Sequence, residues 1–88
     1  MFRLWGIEVK DNRHIRETVI TDEDQSHTRT QKIFGSVEKV CREFDLPAPI
    51  WLDPNINDIK YHKKTRFNRD NFIEELDFDY LEIKIIEE

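Results

Sequence analysis

Six apolar side chains, Ile33, Phe34, Val37, Val40, Cys41 and Phe44, recur at intervals of one, three, four and seven residues. That spacing lays a single apolar stripe along one face of a helix. A stripe of this kind is stable only against a second apolar layer, so the rest of the chain has to supply one. Lys32, Glu38, Lys39, Arg42 and Glu43 lie mostly off the stripe, and Gly35 is a mild interior cost. Upstream, Thr21-Asp22-Glu23-Asp24-Gln25 brings three acids to the end where the helix dipole is positive. Asp22 and Gln25 have capping-box spacing, with Asp24 or Ser26 as alternative caps. Pro47 ends the helix, near Asp45.

Strand-patterned segments at both ends provide the second layer. From Phe2 to Val9 the chain alternates, with Trp5, Ile7 and Val9 on one face and Phe2 and Leu4 on the other. Ile15 to Ile20 is a second β-branched segment. Between them Asp11 and Asn12 tolerate the positive φ of a tight hairpin turn. A two-residue loop there places Glu8 opposite Ile15 and Gly6 opposite Glu17. A loop of three or five residues pairs Val9 with Ile15, Glu8 with Arg16, Trp5 with Val19 and Leu4 with Ile20, matching apolar with apolar and acid with base. The longer loop is therefore the expected one. Tyr80 to Ile86 is a further strand, with Leu81, Ile83 and Ile85 on one side and Tyr80, Glu82 and Lys84 on the other.

The middle of the chain is less regular. Leu46-Pro47-Ala48-Pro49 is an extended connector, and Ile50-Trp51-Leu52 reads as a brief buried strand. Asp53-Pro54 has the form of an N-cap followed by Pro at the first helical position, opening a short helix to about Tyr61. Phe72 to Leu76 fits either a helical turn or an extended piece. The sequence thus predicts one α+β domain over 1–88. An antiparallel or mixed sheet, built from the N-terminal hairpin and the C-terminal strand, carries one long helix on one face. The expected core joins the helix stripe to the Trp5/Ile7/Val9 and Leu81/Ile83/Ile85 faces.

Several segments together resemble a group of short bacterial proteins of unknown function. They are Arg29-Thr30-Gln31-Lys32, Ile50-Trp51-Leu52-Asp53, Lys64-Thr65-Arg66-Phe67, Asp70-Asn71-Phe72-Ile73-Glu74-Glu75 and Asp77-Phe78-Asp79-Tyr80-Leu81-Glu82-Ile83. The resemblance covers nearly the whole chain and implies a stand-alone bacterial protein. It implies no activity, ligand or site.

Charged residues make up 38% of the chain, well above the roughly 25% of ordinary domains, and the net charge is −5. A chain this acidic is poorly suited to broad polyanion binding. No apolar run approaches membrane-spanning length, so no membrane partner is expected. The opening residues lack a basic region followed by an apolar stretch, and a signal peptide is not expected either. The lone Cys41 fits a reducing compartment, so the expected location is cytoplasmic.

Chemistry is thinly represented. Cys41 sits on the apolar stripe, where a buried core thiol is the stronger reading than a nucleophile. Asp77 and Asp79 share a side if extended and suit weak Mg²⁺ binding. A solvated strand edge explains them better, since Mg²⁺ sites lean on substrate phosphates. His14, His27 and His62 show no metal-ligand spacing, and two glycines cannot make a phosphate loop. No catalytic residue, metal site or cofactor is expected.

The sharper candidates are surfaces. Lys60 to Arg69 holds five Lys/Arg and no acid, interleaved with Tyr61 and Phe67, a pattern that grips phosphates and stacks on bases. Asp70 to Glu88 carries eight acids and can neutralise it from within the same molecule. Pro-flanked Trp51 and open sheet edges favour association with another protein or with a second copy. The leading expectation is a non-enzymatic protein-binding or regulatory domain, with a homodimer as one form. The alternative is a nucleic-acid-associated protein, and a metal-assisted enzyme using acidic residues ranks third. The expected interaction surface comprises Trp51, Lys63, Lys64, Arg66 and Arg69.

Overall fold

Asp11 and Asn12 adopt φ of 53° and 64°, the paired left-handed conformation of a two-residue hairpin turn. They join β1 (Phe2–Lys10) to β2 (Arg13–Asp22) in a computed structural model that describes residues 1–88. The expected longer loop is thus not formed. Lys10 lies opposite Arg13 and Val9 opposite His14, as a two-residue turn demands. A bulge then shifts the register between Val9 and Glu8. Beyond it Glu8 faces Arg16, Trp5 faces Val19 and Leu4 faces Ile20, the pairing chosen on side-chain grounds. One extra residue on β2, Ile15, reconciles the turn preferred by the backbone with the register preferred by the side chains.

The sheet has four antiparallel strands in the order β2-β1-β4-β3, with β3 at Lys64–Phe67 and β4 at Tyr80–Glu87. The hairpin and the C-terminal strand are present as expected. Strand β3, inside the basic run, was not expected. Two helices accompany the sheet: α1 (Arg29–Glu43) carries the predicted stripe, and α2 (Asp53–His62) is the shorter one. The order of elements places the two chain ends, β1 and β4, side by side at the centre.

The helix side of the sheet is the opposite of the one expected for β1. Leu4 lies opposite both Ile20 and Ile85, Gly6 opposite Ile83 and Glu8 opposite Leu81. Residues opposite one another share a face, so Phe2 and Leu4, not Trp5, Ile7 and Val9, join Leu81, Ile83 and Ile85 over the stripe of Ile33, Val37, Val40, Cys41 and Phe44. Two residues explain the choice. At Gly6 a Cβ would stand 2.6 Å from Val40 Cγ1, so only glycine lets α1 approach this closely. Glu8, though 2% exposed, has its carboxylate bound by Arg16, with Nη2 at 2.6 Å and Nε at 2.7 Å. Arg16 also donates to the Phe44 carbonyl at 3.1 Å and lies over its ring.

The cap of α1 differs from the sequence reading in position, and that of α2 also in kind. Thr28 caps α1: its hydroxyl accepts from Gln31 N, and the Gln31 side chain accepts from Thr28 N. The acidic residues upstream instead build the preceding loop, where Asp22 and Asp24 flank the His27 ring at 2.9 and 3.3 Å. Asp45 takes φ 55° just past the C-cap Phe44. Leu46 N donates to Cys41 O and Asp45 N to Arg42 O, the two bonds of a Schellman ending. Asp53 is the first residue of α2, not its cap; Asn55 closes that end by accepting from Leu52 N at 3.1 Å.

Ile50-Trp51-Leu52 is not a strand; the segment crosses irregularly into α2. A buried amide network fixes it there. Asn71 Nδ2 donates to Ile50 O (2.9 Å) and Asn55 Oδ1 (2.7 Å), and Asn55 Nδ2 donates to Thr65 Oγ1 and Arg66 O, both at 2.9 Å. Thr65 passes the chain on to Asp58 at 3.0 Å. After a short 3-10 turn at Arg69–Asn71, Phe72 and Phe78 enter the core from an otherwise acidic loop.

Candidate functional site

The basic run does not form one surface. Lys63 occupies the left-handed C-cap of α2 and pairs with Glu88 at 3.0 Å. Lys64 and Arg66 project from β3 on the face away from the helices, because Thr65 and Phe67 between them point into the core. Arg66 pairs with Glu82 at 3.1 Å and lies over the Tyr80 ring at 4.5 Å. Arg69 opens the 3-10 turn. Of the five cations, Lys63 is paired with Glu88, just past β4, and Arg66 with Glu82 within it; Lys60, Lys64 and Arg69 have no ion pair within 4 Å.

Trp51 lies elsewhere, between the helices and the sheet. Its ring meets Phe34 of α1 edge-on at 4.7 Å and Phe67 of β3 at 4.9 Å. It forms part of a groove of about 170 Å³ lined by Ile33 and Phe34 of α1, Ile56 and Ile59 of α2, and the flanking Arg29, Thr30 and Lys60. Ile33 and Ile59 are buried, whereas Phe34 is 39% and Ile56 47% exposed. Ile50 and Leu52 add exposed apolar surface on the segment that holds Trp51. The volume lies below the roughly 300 Å³ lower bound of small-molecule pockets. It suits an inserted side chain.

The sequence located Trp51 but missed its neighbours. Phe34 was assigned to the core because it fits the helical stripe; it lies at the stripe's margin, and Trp51 covers only one edge of it. Ile56 was visible only as a helix residue. The open margin arises because α2 is short and leans toward β3, fixed by Asn55 and Asp58, instead of along the full length of α1.

Electrostatics mark one end of the groove. Glu88 binds Arg29 Nε at 2.5 Å and Lys63 Nζ at 3.0 Å, tying the start of α1 to the end of α2. The Arg29 hydrogen bond, helped by Lys63, holds the Glu88 carboxyl below the usual carboxylate range against the opposing effect of burial. An acid is thus already accommodated where the two helices present cations. Lys60 stands on the same flank over the Tyr61 ring, without an acidic partner.

A second cleft, of about 240 Å³, runs along the β3 edge between Asp58, His62, Lys64, Thr65, Arg66 and Glu82. Its carboxylates are engaged: Asp58 accepts from Thr65 and Glu82 from Arg66. Asp79, weighed above for a cation, accepts from Asp11 N at 2.9 Å and so braces the hairpin turn. No three His, Cys, Asp or Glu side chains gather into a metal-binding group. Cys41 is 2% exposed, and burial pushes its thiol up to about 11, which keeps it protonated. No helix is long and apolar enough to cross a membrane. No family model, curated protein or solved structure matches this chain.

Proposed function

We propose that the protein is a non-enzymatic protein-binding module whose receptor surface is the groove between α1 and α2. The carrying observation is the half-exposed pair Phe34 and Ile56 over buried Ile33 and Ile59, flanked by Arg29 and Lys60. Well-packed apolar pockets with an aromatic wall are where binding energy concentrates in protein interfaces. The occupant is a short amphipathic segment that inserts an apolar side chain and sets an acidic residue against Lys60. A cytoplasmic setting belongs to the same reading and is supported by the unpaired thiol of Cys41.

Selection of displayed peptides on the protein tests this. Enriched sequences should combine apolar residues one helical turn apart with an acidic residue. Their synthetic forms should change the fluorescence of Trp51 in a Trp5→Phe background. Ile56→Asp or Phe34→Asp should weaken them about tenfold or more, and Lys60→Glu should weaken them most at low salt. A selection without enrichment, or peptides that bind Ile56→Asp unchanged, would sink the assignment. A light-scattering dimer that Ile56→Asp converts to monomer would name a second copy as the occupant.

A further inference from the structure

The sheet face opposite the helices carries a pattern that the groove does not use. Its side chains fall into rows across the four strands. Val19, Trp5, Lys84 and Lys64 stand directly opposite one another in one row; Glu17, Ile7, Glu82 and Arg66 form the next; His14, Val9 and Tyr80 the third. No layer covers this face, yet Ile7 is 1% exposed. The Trp5 and His14 rings, from the rows on either side of it, meet edge to face at 6.2 Å.

Most charges on this face have a partner, though that of Glu17 is a histidine ring, charged only when protonated. Glu82 pairs with Arg66, Glu87 with Arg3 at 3.6 Å, and Glu17 lies 3.7 Å from His14. Lys64 and Lys84 stand opposite each other with no acid within 4 Å of either. Like charges directly opposite cost stability. Lys84 Nζ lies over the Trp5 ring at 5.7 Å, and Arg66 over the Tyr80 ring at 4.5 Å. Another like-charged pair, Lys10 and Arg13, projects from the hairpin tip without an aromatic partner. Two uncompensated lysines, one of them over Trp5, with Tyr80 on the same uncovered sheet face, are the elements of a single-stranded nucleic-acid platform: cations track phosphates while rings stack on bases.

We propose that this face binds a short run of single-stranded nucleic acid, with Lys64 and Lys84 on phosphates and Trp5 and Tyr80 as stacking surfaces. Strand rise and spacing put the two aromatic Cα positions about 14 Å apart, room for more than one nucleotide between them. The net charge of −5 opposes binding at long range, so affinity is modest and steeply salt-dependent.

Fluorescence anisotropy of labelled oligothymidylate and oligouridylate of about eight nucleotides tests this on the full chain. Binding is expected at about 50 mM salt, with a log–log salt slope near −1.5 to −2 for two or three phosphates. Lys64→Glu converts the repelling pair into an attracting one. It should melt no lower than wild type while weakening binding about tenfold or more, so a loss cannot be blamed on misfolding. Trp5→Leu should weaken binding at least about fivefold and leave the salt slope unchanged. Lys10→Glu should bind as wild type does. Absence of binding at low salt would overturn the assignment. So would unchanged binding by folded Lys64→Glu, or polyglutamate binding as tightly as the oligonucleotides irrespective of Trp5.

Discussion

Cys41 links burial to pH dependence at the level of a single atom. Desolvation of the thiolate dominates its shift, and Glu38 one turn away adds a smaller push in the same direction. Raised from 9.0 to about 11 in the fold, the thiol stays protonated after its unfolded counterpart has ionised. Stabilisation from the neutral group is therefore complete below about pH 9 and is lost as pH climbs to about 11, because there the unfolded state binds fewer protons. The loss is on the order of 3 kcal/mol. Urea unfolding at stepped alkaline pH should show this fall in wild type and a shallower one in Cys41→Ala, whose curve retains only Lys and Tyr titration. Equal slopes would place the thiol in water. This residue was legible in the sequence because helical spacing alone put it on the apolar stripe. Gly6 and Glu8 were not. Alternation marks which residues share a face but not which face is covered, and the choice fell to a close helix approach and an ion pair with Arg16, both set by tertiary contact.

At the level of elements, α2 and β3 are joined by a buried amide network as well as by the burial of Ile59 and Phe67. Asn55 and Asn71 exchange a hydrogen bond of 2.7 Å and between them engage Leu52 N, Ile50 O, Thr65 Oγ1 and Arg66 O, while Asn71 Oδ1 accepts from Asn68 N at 3.0 Å. Every buried side-chain polar atom finds a partner, so removing one member leaves its direct partners a bond short. Asn55→Ala and Asn71→Ala should each cost about 2 kcal/mol. The double variant should cost about 1–2 kcal/mol less than their sum, as expected of residues in one network. Denaturant midpoints for the four proteins measure that coupling; strict additivity would mean that the two amides act independently. None of this was readable beforehand. Long-range amide bonds leave no periodicity, whereas α1 and the N-terminal strands announce themselves through spacing. Strand β3 did carry the alternation of a strand, with Thr65 and Phe67 inward, but four residues are too few to stand out from a run of Lys and Arg. The groove between α1 and α2 was half legible for the same reason: Trp51 is conspicuous by type, while Phe34 and Ile56 come together only through the way α2 is fixed against β3.

For the molecule as a whole, the decisive fact is that β1 and β4 pair at the centre of the sheet. Val9 lies opposite Tyr80, and Leu4 opposite Ile85. The hairpin and α1 can begin to form locally, but their core stays open until the far end of the chain arrives. β4 supplies Leu81, Ile83 and Ile85, at most 8% exposed, and is the only strand to which β3 is bonded. Burying those three side chains contributes about 1.5–3 kcal/mol each, a sum comparable to the whole stability of a domain this size, about 4–13 kcal/mol. A fragment of residues 1–79 should therefore show no cooperative thermal transition, despite retaining α1 and α2 complete. Addition of a peptide spanning residues 80–88 should restore both the transition and the near-ultraviolet signal of Trp5 and Trp51, since each ring's setting depends on the strand: Trp5 through Lys84, and Trp51 through Phe67, which β4 holds in register. A fragment that melted cooperatively without the peptide would mean that the hairpin and helices make a sufficient core on their own. Both proposed surfaces depend on the same closure, the groove through Glu88 at its cationic end and the open face through Lys84 and Tyr80, so neither can operate before the last strand is in place.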